Sequence, residues 1–194
     1  MDSITPSQNV VFGTLADIQR NSIYVTFNAP EVNEYHRSIF ITHPSTRDGT
    51  LFHARWTAET GWFCERRDIS NLSKARSLVL MYRLGSYDRL TNSKPGEQEW
   101  FTQIEEICKG VDLDPSRPRE EGDDVLRRLG NPLLGGYSCL VWSVDVVRAL
   151  EAGGLVDLKG KEAEGLLMEA RLLAGPEDGT STVGKEHGAV RVVN

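Results

Sequence analysis

Apolar and polar positions along this chain alternate first and follow a helical period later. Residues 21–28 run Asn21, Ser22, Ile23, Tyr24, Val25, Thr26, Phe27, Asn28. That alternation, rich in β-branched residues, predicts a strand with Ile23, Val25 and Phe27 on one face. Pro30 breaks it, and a second strand is predicted over 37–42. The stretch from Pro44 to Gly49 is turn chemistry, with Asp48 and Gly49 as its tight element. A strand over 50–56 then returns, so 37–42 and 50–56 form an antiparallel hairpin. Residues 61–66 read as a further strand. The run 75–84 reads as another, although its unbroken apolar stretch also fits a helix.

After Pro95 and Gly96 the period lengthens. Residues 97–109 place Trp100, Phe101, Ile104, Ile107 and Cys108 at helical spacing, and Gly110 is the stop. Residues 112–123 form a charged loop containing prolines. A strongly helical stretch runs from Leu140 to Leu150 and ends at Gly153 and Gly154. A last helix is predicted over 161–173. Residues 176–194, rich in Gly, Glu and Lys, read as a flexible tail, within which 189–193 suits a short strand. The expectation is one α+β domain over 1–175, an antiparallel sheet from the first half packed on helices from the second.

Composition narrows the function classes. The chain has 194 residues, 39% hydrophobic and 26% charged, the balance of a globular protein with enough chain for a sizeable core. A net charge of -6 and no basic stripe argue against nucleic acid. No apolar run approaches the roughly 20 residues of a membrane helix. Residues 1–4 lack a signal-peptide pattern, so a cytoplasmic location is expected. Cys64, Cys108 and Cys139 are odd in number and widely spaced, which suits neither a disulfide framework nor a zinc motif.

Cys139 is the leading candidate for chemistry. It follows Gly135, Gly136, Tyr137 and Ser138 and opens the 140–150 helix. There, unpaired backbone N–H groups and the helix dipole stabilise a thiolate. At 100° per residue it shares a face with Trp142, Val146 and Leu150, and so points at the body of the protein. If that body is the hairpin, His36 and His53 are the histidines to meet it, and a histidine beside a thiol can take its proton. The same pattern also describes a buried structural cysteine.

The segment His36, Arg37, Ser38, Ile39, Phe40, Ile41, a turn, and then Gly49, Thr50, Leu51, Phe52, His53 resembles the first strands of the permuted NlpC/P60 (papain-like) superfamily. Lecithin:retinol acyltransferase-like proteins and PPPDE thiol peptidases belong to that superfamily. Their closing motif, Asn-Cys-x-x-Phe/Trp at a helix start, is matched here by Ser138, Cys139, Leu140, Val141 and Trp142. Small uncharacterised fungal proteins with Asn-Cys-Gln-x-Trp and an Ala-Gly-Leu turn are similar too; Ala152, Gly153, Gly154 and Leu155 stand at that turn. The resemblance covers about residues 20–158. It departs at Ser138, where the family has Asn, at Arg37, where it has Trp, and at the apolar pair Leu140 and Val141.

The resemblance implies a circularly permuted papain-like fold and cysteine-dependent acyl chemistry, either hydrolysis or transfer at an amide, ester or thioester. Cys139 matches the nucleophile, His36 the general base and His53 the residue that orients the base. Tyr35, Arg37, Arg55, Trp56 and Tyr137 are the expected substrate-binding residues, around a mostly apolar cleft with one basic side chain for a carboxylate or phosphate. The implied partner is a small-molecule or peptide acyl substrate, with no cofactor and no metal. The departures leave a non-catalytic binding or interaction module on the same fold as the alternative. His43 reads as a solvated turn residue and His187 as a tail residue. Zinc on His36, His53 and Cys139 lacks any closely spaced ligand pair. The basic pairs Arg66 and Arg67, and Arg127 and Arg128, could grip a carboxylate or phosphate, although surface ion pairs are the favoured reading.

Overall fold

A computed structural model describes residues 11–28, 35–43, 48–87, 97–113, 138–175 and 190–194. Six strands form one sheet: β1 (Ser22–Asn28), β2 (His36–Thr42), β3 (Gly49–Thr57), β4 (Gly61–Ile69), β5 (Leu78–Ser86) and β6 (Arg191–Val193), in the order β4-β3-β2-β1-β5-β6. The first five pair antiparallel, and β6 joins β5 in parallel. The sheet is therefore mixed rather than purely antiparallel, and residues 191–193 are part of it rather than of a loose tail. The rest of the expected tail, 176–189, lies outside the described residues, as do most of the charged 112–123 loop and the Arg127 and Arg128 pair.

Strand β1 sits between β2 and β5, and every residue from Ser22 to Phe27 is buried. The expected set Ile23, Val25 and Phe27 faces the larger core, while Tyr24 belongs to a second core on the other face. The Tyr24 hydroxyl accepts from the Gln19 backbone N–H (2.8 Å) and donates to Asn194 (3.0 Å), which satisfies a buried polar tip. At the start of β3, a Cβ on Gly49 would lie 2.3 Å from the Ile41 carbonyl oxygen and 2.4 Å from the Phe40 ring. Only glycine fits opposite Thr42, where β2 and β3 meet.

Three helices are present among the described residues: α1 (Glu97–Gly110), α2 (Cys139–Ala152) and α3 (Ala163–Ala174). None is long and apolar enough to cross a membrane. Helix α2 lies on β2 and β3 and between the other two helices, while α3 packs on β5. Its central place explains its composition: Leu140, Val141, Trp142, Val144, Val146, Val147 and Leu150 are all buried. Gly153 and Gly154 end it as expected, Gly154 taking the left-handed conformation at φ +70°. On α1, Ile104 and Cys108 enter the core, and Phe101 lies on Phe52 of β3 at 6.4 Å between ring centres.

The helices thus cover one face of the sheet. The other face carries Tyr24, Phe40, Leu78, Met81 and, on β6, Val192, capped by Ile18 and Leu72 from the short segments around them.

Candidate functional site

Side chains on a strand alternate between the two faces, so a residue's parity decides its partners. On β2, Arg37, Ile39 and Ile41 share the helix-covered face, since Ile39 and Ile41 join the larger core and Arg37 stands opposite Phe27. His36 and Phe40 then point to the outer face, where Phe40 joins the second core. On β3, Phe52 and Ala54 face the helices, so His53 and Arg55 face outward. On β4, Glu65 lies opposite His53, and Arg67 follows two residues on.

Three of these outer side chains form a chain of hydrogen bonds. His36 Nε2 lies 2.7 Å from His53 Nδ1, and His53 Nε2 lies 2.6 Å from Glu65 Oε2. The imidazoles meet edge to face with centres 4.9 Å apart. An ionised carboxylate only accepts, so the His53 Nε2–H donates to Glu65. Neutral His53 then has a lone pair on Nδ1, which accepts from the His36 Nε2–H. Neutral His36 is left presenting a lone pair on Nδ1. The relay therefore fixes both tautomers from one carboxylate, much as an acid behind a metal-bound or catalytic histidine fixes that ring.

The electrostatics favour that neutral form. Burial, then His53 and Arg67, push His36 down to about 4. Burial also lowers His53, outweighing the upward pull of Glu65. Desolvation pushes Glu65 up, but hydrogen bonds from His53 and Arg67 outweigh it and hold the carboxyl low. Two arginines flank the carboxylate: Arg67 at 2.9 Å and Arg55 at 3.3 Å, each with about half of its side chain exposed. His53 is buried at 7% exposure, while His36 and Glu65, at the two ends of the relay, are both half-buried.

Cys139 does not join this group. It is the first residue of α2, half-buried, and α2 packs on the opposite face of β2 and β3. The sheet lies between the Cys139 helix and both His36 and His53, so the expected Cys139–His36 dyad does not form. Parity is the physical reason: with Arg37 turned to the helices, His36 must turn away. Arg37 is only 2% exposed and lies 5.2 Å over the Phe27 ring. Tyr35 is also buried on the helix side, its hydroxyl donating to the carbonyls of Ala174 (3.2 Å) and Gly175 (3.3 Å) at the end of α3. Neither residue edges an open cleft beside His36. Arg55 belongs to the outer cluster, Trp56 is 43% exposed at the far end of β3 opposite Trp62, and Tyr137 lies outside the described residues.

His43 is not a solvated turn residue. Its ring sits edge-on to Phe101 at 5.8 Å, and its Nε2–H donates to the Thr50 hydroxyl at 3.2 Å, which in turn donates to Asp68. Arg66 is more than a surface ion pair: it bonds Glu105 of α1 at 3.1 Å and stacks over Phe101 at 5.2 Å, fixing α1 to the sheet. Among the described residues no group of three His, Cys, Asp or Glu side chains, the relay included, is arranged to hold a metal ion. Glu65 is the member of the site that sequence reasoning missed. The signal was in the β3–β4 hairpin: counting outward from the turn at 58–60 puts Glu65 opposite His53.

These features define an α+β domain, a mixed sheet covered by helices on one face, with an imidazole relay on the other. Residues 23–157 match a family of unknown function, DUF6540, and the chain belongs to that family. No curated protein and no solved structure matches it.

Proposed function

We propose that this is a ligand-binding domain, whose recognition element is the relay of Glu65, His53 and His36 on the outer face of the sheet. The observation that carries this reading is the relay's geometry: two short hydrogen bonds from a carboxylate that end on an imidazole lone pair at a half-buried position. Such a group accepts a hydrogen bond or a proton from a bound molecule, and its orientation is set before the molecule arrives. The cysteine acyl-enzyme reading is the competitor. It draws on the place of Cys139 at a helix start and on its partial exposure, but both hairpin histidines lie across the sheet from that helix.

Alkylation of the native protein separates the two. Cys108 is buried and its thiol is pushed well up, and burial pushes the Cys64 thiol up to about 11, so labelling below pH 8 falls on Cys139. A binding domain needs no reactive thiolate, so its Cys139 labelling rate is expected still to climb steeply between pH 6 and 8. A rate already on its plateau at pH 6 would show a thiolate held by a partner of its own, and an acyl enzyme would replace the binding domain.

A further inference from the structure

Arg55 on β3 and Arg67 on β4 stand on the same outer face as His53 and Glu65, one on each side of the carboxylate. Among the described residues Glu65 is the only acid in that group, so two guanidinium groups share one carboxylate and these side chains together carry one positive charge in excess. Each guanidinium has five donors, and their side chains are about half exposed. The relay adds something a plain basic patch lacks, an imidazole acceptor, His36 Nδ1, on the same face at a half-buried residue. Arg67 lies close enough to His36 to act on its charge. A matching molecule therefore needs acceptors for the arginines and a donor for the imidazole, all on one compact group.

A carboxylate meets only half of that description, since at neutral pH it has two acceptor oxygens and no proton. A phosphate monoester meets all of it. It has three terminal oxygens, and with a second pKa near 6 a large share of it keeps one P–OH proton in mildly acidic solution. Two oxygens suit the guanidinium forks. The third, as P–OH, donates to His36.

We propose that the outer face binds the phosphate group of a small phosphate monoester, with Arg55 and Arg67 on its oxygens and His36 Nδ1 accepting from its P–OH. This names the ligand class of the binding site proposed above, and so rests on that reading.

The test uses the full chain at pH 6, with inorganic phosphate and sulfate as probes and the imidazole nitrogen resonances of His36 and His53 as the readout. Sulfate has the shape of phosphate and, at pH 6, more negative charge, but no proton to give. Phosphate is expected to shift both imidazoles and to bind at least tenfold more tightly than sulfate, the worth of one charge-assisted hydrogen bond. Arg67→Gln, at an exposed position that folding tolerates, is expected to weaken phosphate at least tenfold. Glu65→Gln frees both arginines and is expected to tighten sulfate. Equal affinity for phosphate, sulfate and acetate, with the imidazoles still responding, would overturn the phosphate assignment and leave a binding site for anions in general. Phosphate binding that leaves both imidazoles unmoved, or no binding at all, would overturn the outer face as the phosphate site. Among larger probes, glycerol phosphate is expected to bind at least as well as a phosphoserine peptide; the reverse order would move the ligand from small molecules to phosphoproteins.

Discussion

Trp142→Ala is expected to lower the unfolding free energy by about 3–5 kcal/mol, the usual cost of emptying a large aromatic site in a core. Trp142 has no exposed surface and is among the largest fully buried side chains of the domain. It sits on α2, the helix enclosed by the sheet, α1 and α3, so the hole has several walls and no easy way to collapse. A loss of that size is a large share of the roughly 5–15 kcal/mol typical of a whole domain. Trp142→Phe separates volume from polarity. The indole Nε1 has no hydrogen-bond partner among the described residues, so phenylalanine removes an unsatisfied donor while keeping most of the packing. Its cost is expected to be less than half that of alanine. Urea unfolding checks both, read as a shift in midpoint at constant slope. A cost below about 1 kcal/mol for the alanine variant would mean that α2 is not enclosed by the sheet and the other two helices.

The second large effect is acid destabilisation centred on the relay. His36 titrates near 6.5 in an unfolded chain and at about 4 in the folded one. Between those values the unfolded chain takes up a proton that the folded protein refuses. The contribution is therefore fully present above pH 6.5, is lost as the pH falls toward 4, and changes no further below that. The size is about 3 kcal/mol, since each pH unit between the two values is worth about 1.36 kcal/mol. His53, lowered in the same direction, adds to the slope in that window. Glu65 is held low, so its contribution falls away only at more acid pH, which separates the carboxylate from the imidazoles. His36→Gln keeps a polar group and removes the titration. Its stability is expected to vary less between about pH 6.5 and 4.5 than that of the native chain. Parallel curves for the two proteins would show that His36 is not the group responsible.

The alternation of residues 21–28, the break at Pro30 and the turn chemistry of 44–49 were enough to place β1, β2 and β3, because strand breaks are local signals. The helix over 97–109 and the Gly153–Gly154 stop were equally legible, since caps and periodicity are local properties. What alternation leaves open is which face the helices take. His36 and Arg37 are neighbours, and turning the neutral side chain inward looks the cheaper arrangement. The fold instead buries Arg37 against Phe27 and keeps His36 for the outer face. Stacking over the Phe27 ring is part of what offsets the burial of that charge. That single reversal separated Cys139 from both hairpin histidines. Glu65 was missed for a different reason: its role comes from cross-strand register, which a strand read one at a time does not reveal. The parallel docking of β6 was beyond local reading altogether, because its partner β5 lies more than half the chain away.

Docking β6 last also shapes how the chain folds as it is made. β1 through β4 connect neighbour to neighbour by short links, so they are able to form as soon as they are synthesised. Val192 is different. It completes the second core against Tyr24, Phe40 and Met81, and it also bridges back to Gly13. Until β6 has left the ribosome, that apolar face stays open to water and the outer edge of β5 stays unpaired. The nascent domain thus passes through the synthesis of residues 87–190, roughly a hundred of them, with one side unfinished and open to association with other chains.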